Sequence, residues 1–365
     1  STFAKKHNIP VTSTVMGIGC MTHDDPYYIS AIGCLGEGSS NSLSKETDMA
    51  LAIGTKLGDF TTGSWSNFQN SDFQLVSINT ARFDVTKHRA TPVISDAKIG
   101  LKQLSDVLGD WKAPDNWYQR SIKERNEWDN YVEKQSGPTN QELPSYAHAV
   151  GAVYRNADPS DIVVTAAGGL VGEVVQIWKP KQINTFETEW GFSCMGYEIS
   201  GALGMKMAKP DNDIVVFIGD GSYLLQNSDI YSSVIYDKKL IIVVCDNSGH
   251  MVINRLQLAK GGKEYLCGFK TSRVSNFVEV DFAAHAKSMG ANGEQVNSIA
   301  DLEEAFKRAK KSEKTYVISI HTDGYQWLEG SAYWESPTLS LPTTKENERA
   351  LKEHLDGKKK QRKGV

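Results

Sequence analysis

Two oxygen donors at matched positions carry the chemistry of this sequence. Gly219-Asp220-Gly221-Ser222 closes one apolar run, and Asn247-Ser248-Gly249 closes the next. One helix and one strand fit between them, so the two strand ends can meet in space. Asp220 offers a carboxylate, Asn247 an amide oxygen, and Gly249 a backbone carbonyl as a candidate third ligand. Hard divalent cations such as Mg²⁺ take oxygen ligands in octahedral geometry and are often shared with phosphates. Gly221 lets the backbone come close to a phosphate. Ser222 adds a hydroxyl, and the helix that follows presents free N–H groups. A Gly-Asp-Gly triplet alone is usually a turn. The matching asparagine turns it into a predicted diphosphate–metal site.

Further segments fit the same site. Ala166-Ala167-Gly168-Gly169 lies between a strand and a helix, where Gly168 and Gly169 offer N–H groups to phosphate oxygens. Gly191 to Gly196, with Cys194 and Met195, opens a glycine-spaced helix before the Gly219 strand. Met195 is a core residue or a wedge under a cofactor. His250, Met251 and Asn254 follow the metal loop. There His250 is either a proton carrier working near neutral pH or a solvent-facing loop residue. The stretch His321 to Trp327 forms a lid, or it covers the sheet or packs on a neighbouring subunit, as Trp334 also would.

The elements that must position these residues read as α/β. In the first third, residues 48–53 and 74–78 read as buried strands. Residues 95–108 read as a helix capped by Ser95. Residues 113–140 read as a linker, part of which (117–134) suits an amphipathic helix. The second domain, 141–336, alternates helices at 143–156, 170–178, 194–208, 225–236, 281–289 and 299–310 with strands at 161–165, 213–218, 239–245, 293–296 and 315–321. That pattern predicts an open, doubly wound parallel sheet whose ligand sits outside the carboxyl ends of the strands. Residues 337–365 read as a charged tail, with the basic run 358–363 solvated.

Composition narrows the classes. The chain has 365 residues, 40% hydrophobic and 23% charged, with net charge −4. This is enough for two packed domains and gives no electrostatic case for nucleic acid. No apolar run reaches the length of a membrane span. The five cysteines form no Cys-x-x-Cys pair, which favours a reducing cytoplasm over a disulfide framework or zinc site. No Gly-x-Gly-x-x-Gly follows a strand with an acidic partner about 20 residues on, which disfavours a dinucleotide enzyme. The chain begins at Ser1 without methionine, so a processed or incomplete chain is expected.

Gly219-Asp220-Gly221 with Asn247 resembles the thiamine-diphosphate (ThDP) motif of the acetolactate synthase and pyruvate decarboxylase superfamily. The resemblance implies that Asp220, Asn247 and the main-chain oxygen of Gly249 hold Mg²⁺. It implies that the metal grips the cofactor's diphosphate, and that Met195 bends the cofactor into a V. Closer matches run from about Pro10 to Ser336: residues 192–198, 219–225 and 246–249, with Asp59-Phe60-Thr61-Thr62, 77–84 and 253–257. These are similar to the trihydroxycyclohexanedione hydrolases of myo-inositol catabolism. The implied fold is two doubly wound parallel-sheet domains: a central domain (1–112, N-terminally truncated) and the diphosphate-binding domain (141–336). The implied reaction is hydrolytic C–C ring cleavage of a small cyclic polyol dione to 5-deoxy-D-glucuronate. It would take place in a cytoplasmic homo-oligomer with sites at subunit interfaces. The family's N-terminal pyrimidine-binding domain, which supplies the cofactor-activating glutamate, is expected to be missing here, and activity is expected to need it. Glu189 and Glu198 lie in the other domain and do not replace it; Glu198 reads as structural. Two alternatives stay open: another ThDP decarboxylase or carboligase, or an inactive fragment or partner subunit.

Overall fold

The computed structural model describes residues 1–271 and 276–362, so Lys363 of the basic run lies outside the described residues. The chain divides into two compact units. One comprises Ser1–Asn130, Glu329–Leu341 and the residues from Leu351 on; the other comprises Tyr131–Leu328 and Pro342–Ala350. Residues 329–336, read above with the second domain, group with the first unit.

The first unit is α/β with parallel strands. Strands β1 (Val11–Ser13) and β2 (Tyr28–Ala31) form one pair. Strands β3 (Met49–Ile53), β4 (Gln74–Asn79) and β5 (Thr91–Ile94) form a parallel sheet in that order. Its small core gathers Ile32, Ala52, Leu57, Phe68, Phe73 and Leu75. The expectation of a buried strand at 48–53 is corrected, because of β3 only Ala52 is buried and all of β5 is exposed. An apolar run marks a strand, but burial needs cover on both faces. Helix Ala97–Leu108 is capped by Asp96, not Ser95: the Asp96 carboxylate accepts the N–H groups of Lys98 and Ile99, meeting two donors that the first turn leaves free.

The stretch read as a linker is mostly a 22-residue helix, Asp115–Ser136. It starts after Pro114 and stops before Gly137-Pro138, residues that permit a helix start and end. The residues read as a charged tail carry the helix Lys345–Lys360.

The second unit holds a six-stranded parallel sheet of β6 (Ile162–Thr165), β7 (Phe186–Thr188), β8 (Ile214–Gly219), β9 (Ile241–Asp246), β10 (Asn292–Val296) and β11 (Tyr316–His321). Their spatial order is β10-β11-β9-β8-β6-β7. The order reverses direction between β6 and β8, which makes the carboxyl ends of these two strands the switch point where ligands bind. Val163, Val216, Phe217 and Val243 are fully buried, as a sheet covered by helices on both faces requires. At the opposite, amino end, Lys310 Nζ lies 2.8, 2.6 and 3.0 Å from Asp158, Asp161 and Asp213.

Boundaries shift where glycines and turns intervene. The helix read at 194–208 begins at Tyr197, after Gly196 in the left-handed region (φ 95°). The helix read at 225–236 is two helices, Asp220–Leu225 and Asp229–Ile235. The first follows β8 without a break, so Asp220 opens it. The loop read after Asn247 contains the helix Met251–Ala259. Among the described residues no helix is long and apolar enough to cross a membrane.

Candidate cofactor and metal site

β8 delivers Asp220 into the interior, where it is 1% exposed. One carboxylate oxygen accepts the N–H of Gly249 at 2.7 Å. Burial pushes the Asp220 carboxyl up to about 8, helped by the negative charge of Asp246 and a hydrogen bond between the two. Two buried carboxylates side by side resist joint ionisation. A divalent cation relieves that charge as well as a proton does.

β9 delivers Asp246 and Asn247. Asp246 Oδ1 accepts the Ser248 N–H at 2.8 Å, and Ser248 takes the left-handed conformation (φ 58°). Asp246 also pairs with His321 Nδ1 at 3.2 Å, and the other ring nitrogen of His321 faces Glu279 at 3.0 Å. The loop is pinned by the N–H of His250 to the Cys267 carbonyl and the N–H of Phe269 to the Ser248 carbonyl. A Cβ on Gly249 would lie 2.4 Å from the Cys267 oxygen, so only glycine fits. The contact seen at Gly249 is its N–H on Asp220.

Asn247 Nδ2 donates to the Tyr146 hydroxyl at 2.7 Å, while its Oδ1 is buried with no hydrogen-bond partner. A buried acceptor left open costs about 1–3 kcal/mol unless something fills it. With buried Asp220 at the end of the neighbouring strand, an open amide oxygen suits a hard cation, so the residues present fit a metal. Sequence reasoning missed Tyr146 and Asp246. Tyr146 stands 101 positions from Asn247 and carries no local motif. Burial, with the charge of Asp220 next, holds its phenol well above the usual range.

The turn after β6 joins the site through Glu198. Its carboxylate accepts the N–H groups of Ala167 (3.2 Å) and Gly196 (2.8 Å), and Ser222 bonds to it as well. Gly168 takes a positive φ of 77°. A Cβ on Gly169 would fall 2.0 Å from the Trp327 ring, so the segment after β11 lies directly against this turn. Ser193 Oγ donates to the Ala166 carbonyl at 2.9 Å. Glu189 accepts the N–H groups of Phe192 and Cys194, and the Cys194 N–H is the main cause that lowers its carboxyl.

Gly221, His250 and Met195 converge. A Cβ on Gly221 would lie 2.6 Å from His250 Nδ1 and 3.5 Å from Met195 Cε. Met195 keeps 38% of its surface exposed, so it is not a closed core residue. His250 packs edge-on to Phe269. Met251 is buried, and Gly324 lies against its side chain.

Comparison with known proteins agrees with this geometry. Residues 1–104 match the thiamine pyrophosphate enzyme central domain, and residues 166–320 match the thiamine pyrophosphate enzyme C-terminal TPP-binding domain. The chain is 33% identical to a protein of Lacticaseibacillus casei, over 91% of this chain and 56% of that protein. It is 30% identical to one of Geobacillus thermodenitrificans, over 95% and 58%. It is 32% identical to one of Halalkalibacterium halodurans, over 88% and 55%. All three are named 3D-(3,5/4)-trihydroxycyclohexane-1,2-dione hydrolase. The chain thus spans a little over half the length of these relatives. With a parallel α/β fold, an acidic residue and an amide at the carboxyl ends of the neighbouring strands β8 and β9, and matches to both domain types, this chain belongs to the thiamine pyrophosphate enzymes.

Proposed function

We propose that this chain forms the diphosphate–metal half of a hydrolase that opens the ring of 3D-(3,5/4)-trihydroxycyclohexane-1,2-dione to give 5-deoxy-D-glucuronate in myo-inositol catabolism. The observation that carries the proposal is the buried, unpartnered Oδ1 of Asn247 after β9, the strand paired with β8, which ends at buried Asp220. The relatives' shared name supplies the substrate.

Asp220, Asn247 Oδ1 and the Gly249 backbone would hold Mg²⁺. The turn at Gly168 and Gly169 and the helix start at Gly221 and Ser222 would offer backbone N–H groups to a diphosphate, with Cys194, Met195 and Met251 as further cofactor contacts. Thiamine diphosphate supplies a carbon nucleophile able to hold the electron pair released when a bond between two carbonyl carbons breaks. Water adds across that bond, so dione plus one water equals the open-chain acid. His250, set against Gly221, is the candidate proton carrier of this reading. The Trp327 ring packs against Gly169 of the turn after β6.

Exposed Phe192, Leu225, Tyr231 and Ile235 support a homo-oligomer in which another surface completes the site. Free cysteines throughout the described residues support a cytoplasmic setting. A second reading is a fragment or partner subunit without activity of its own. The experiment is product analysis with ThDP and Mg²⁺, the chain being supplied with a pyrimidine-binding domain of the family and offered the cyclic dione or pyruvate. The expected product is 5-deoxyglucuronate from the dione. Turnover of pyruvate would replace the hydrolase by a decarboxylase or carboligase, and no turnover of either would favour the second reading.

A further inference from the structure

A carboxamide has two unlike ends. Its oxygen can bind a cation and its NH₂ cannot. The orientation of Asn247 therefore matters to any metal site, and one side chain bonds its amide nitrogen.

Tyr146 opens the helix Tyr146–Asn156, whose start is fixed by a capping box between Ser145 and His148. The side chain is buried. Its ring stands edge-on to Trp327, with centroids 5.7 Å apart. A Cβ on Gly219, the residue before Asp220, would lie 3.8 Å from the Tyr146 hydroxyl. That hydroxyl accepts Asn247 Nδ2–H at 2.7 Å. With its nitrogen held there, the amide turns Oδ1 the other way, where it is buried and unpartnered.

We propose that Tyr146 is a positioning residue that selects the metal-binding orientation of the Asn247 carboxamide. The inference rests on the reading of Asp220 and Asn247 as cation ligands. Tyr146→Phe keeps the ring and removes only the hydroxyl, so the amide nitrogen loses the partner that holds it in this orientation. Removing a partner that orients a metal ligand typically weakens binding about 10- to 100-fold, and the lower end is expected here.

The test measures Mn²⁺ affinity in the presence of ThDP, by the loss of the free-ion electron paramagnetic resonance signal. The proteins are the unaltered chain, Tyr146→Phe, Asp220→Ala, Asn247→Asp and the Asn247→Asp/Tyr146→Phe double variant, each with a thermal melt without metal. Tyr146→Phe should bind Mn²⁺ about 10-fold more weakly while its metal-free melt stays close to that of the unaltered chain. In the Asn247→Asp background both side-chain ends are oxygens, orientation loses its meaning, and removing the hydroxyl should cost less than about 3-fold. Unchanged Mn²⁺ affinity in Tyr146→Phe would overturn the inference. So would an equal loss in both backgrounds, since that is the mark of a general structural role. Mn²⁺ binding that survives Asp220→Ala would instead overturn the metal reading beneath it, a result distinguishable from the other two.

Discussion

At the scale of single residues, the site depends on what two glycines leave open. Gly249 admits the Cys267 carbonyl, and Gly221 admits the His250 ring beside Met195. Gly221→Ala would set a methyl 2.6 Å from His250 Nδ1. A ring at the end of a side chain can swing aside, so stability should change by no more than about 1–2 kcal/mol, while ThDP binding weakens at least tenfold. Denaturant melts and a cofactor titration check this. A large stability loss with intact cofactor binding would show that Gly221 serves packing instead. Asp220 and Asn247 were legible in the sequence because each ends an apolar run, and a strand end in a parallel sheet is where chemistry sits. Tyr146 and Asp246 were not. The Tyr146–Asn247 bond joins residues 101 positions apart, and the meaning of Asp246 depends on Asp220 lying beside it on the next strand.

At the scale of elements, most strands of the second sheet could be read from their apolar runs. The three-residue β7 was too short to show, and helix Met251–Ala259 was taken as part of the metal loop. The contact that ties helix Leu170–Ile177 to the segment after β11 was also invisible: the Glu173 carboxylate accepts the Leu328 N–H at 3.0 Å. Burial pushes the Glu173 carboxyl from its ordinary 4.5 up to about 7. Between those values the folded chain keeps a proton that the unfolded chain has lost. Stability therefore falls as pH rises from about 4.5 to 7, by on the order of 3 kcal/mol, and is level above that range. Glu173→Gln keeps an acceptor for Leu328 and cannot ionise. Its denaturation free energy should decline less than that of the unaltered chain between pH 5 and 8. Parallel pH curves for the two proteins would contradict this account of the helix–segment contact.

At the scale of the whole molecule, the sequence made the α/β class and the parallel sheets readable. It did not show that the first unit gathers residues from both ends of the chain, because that grouping rests on contacts far apart in sequence. Nor did apolar composition reveal how little of β3 and β5 is covered. The chain spans just over half of its relatives' length, so the central claim concerns what these two units hold by themselves. It is tested most directly by calorimetric titration of ThDP with Mg²⁺ into the chain, with Asp220→Ala as control. The account predicts binding that needs Mg²⁺ and is lost in Asp220→Ala. Binding that ignores both Mg²⁺ and Asp220, or none in a chain shown by its melt to be folded, would contradict it.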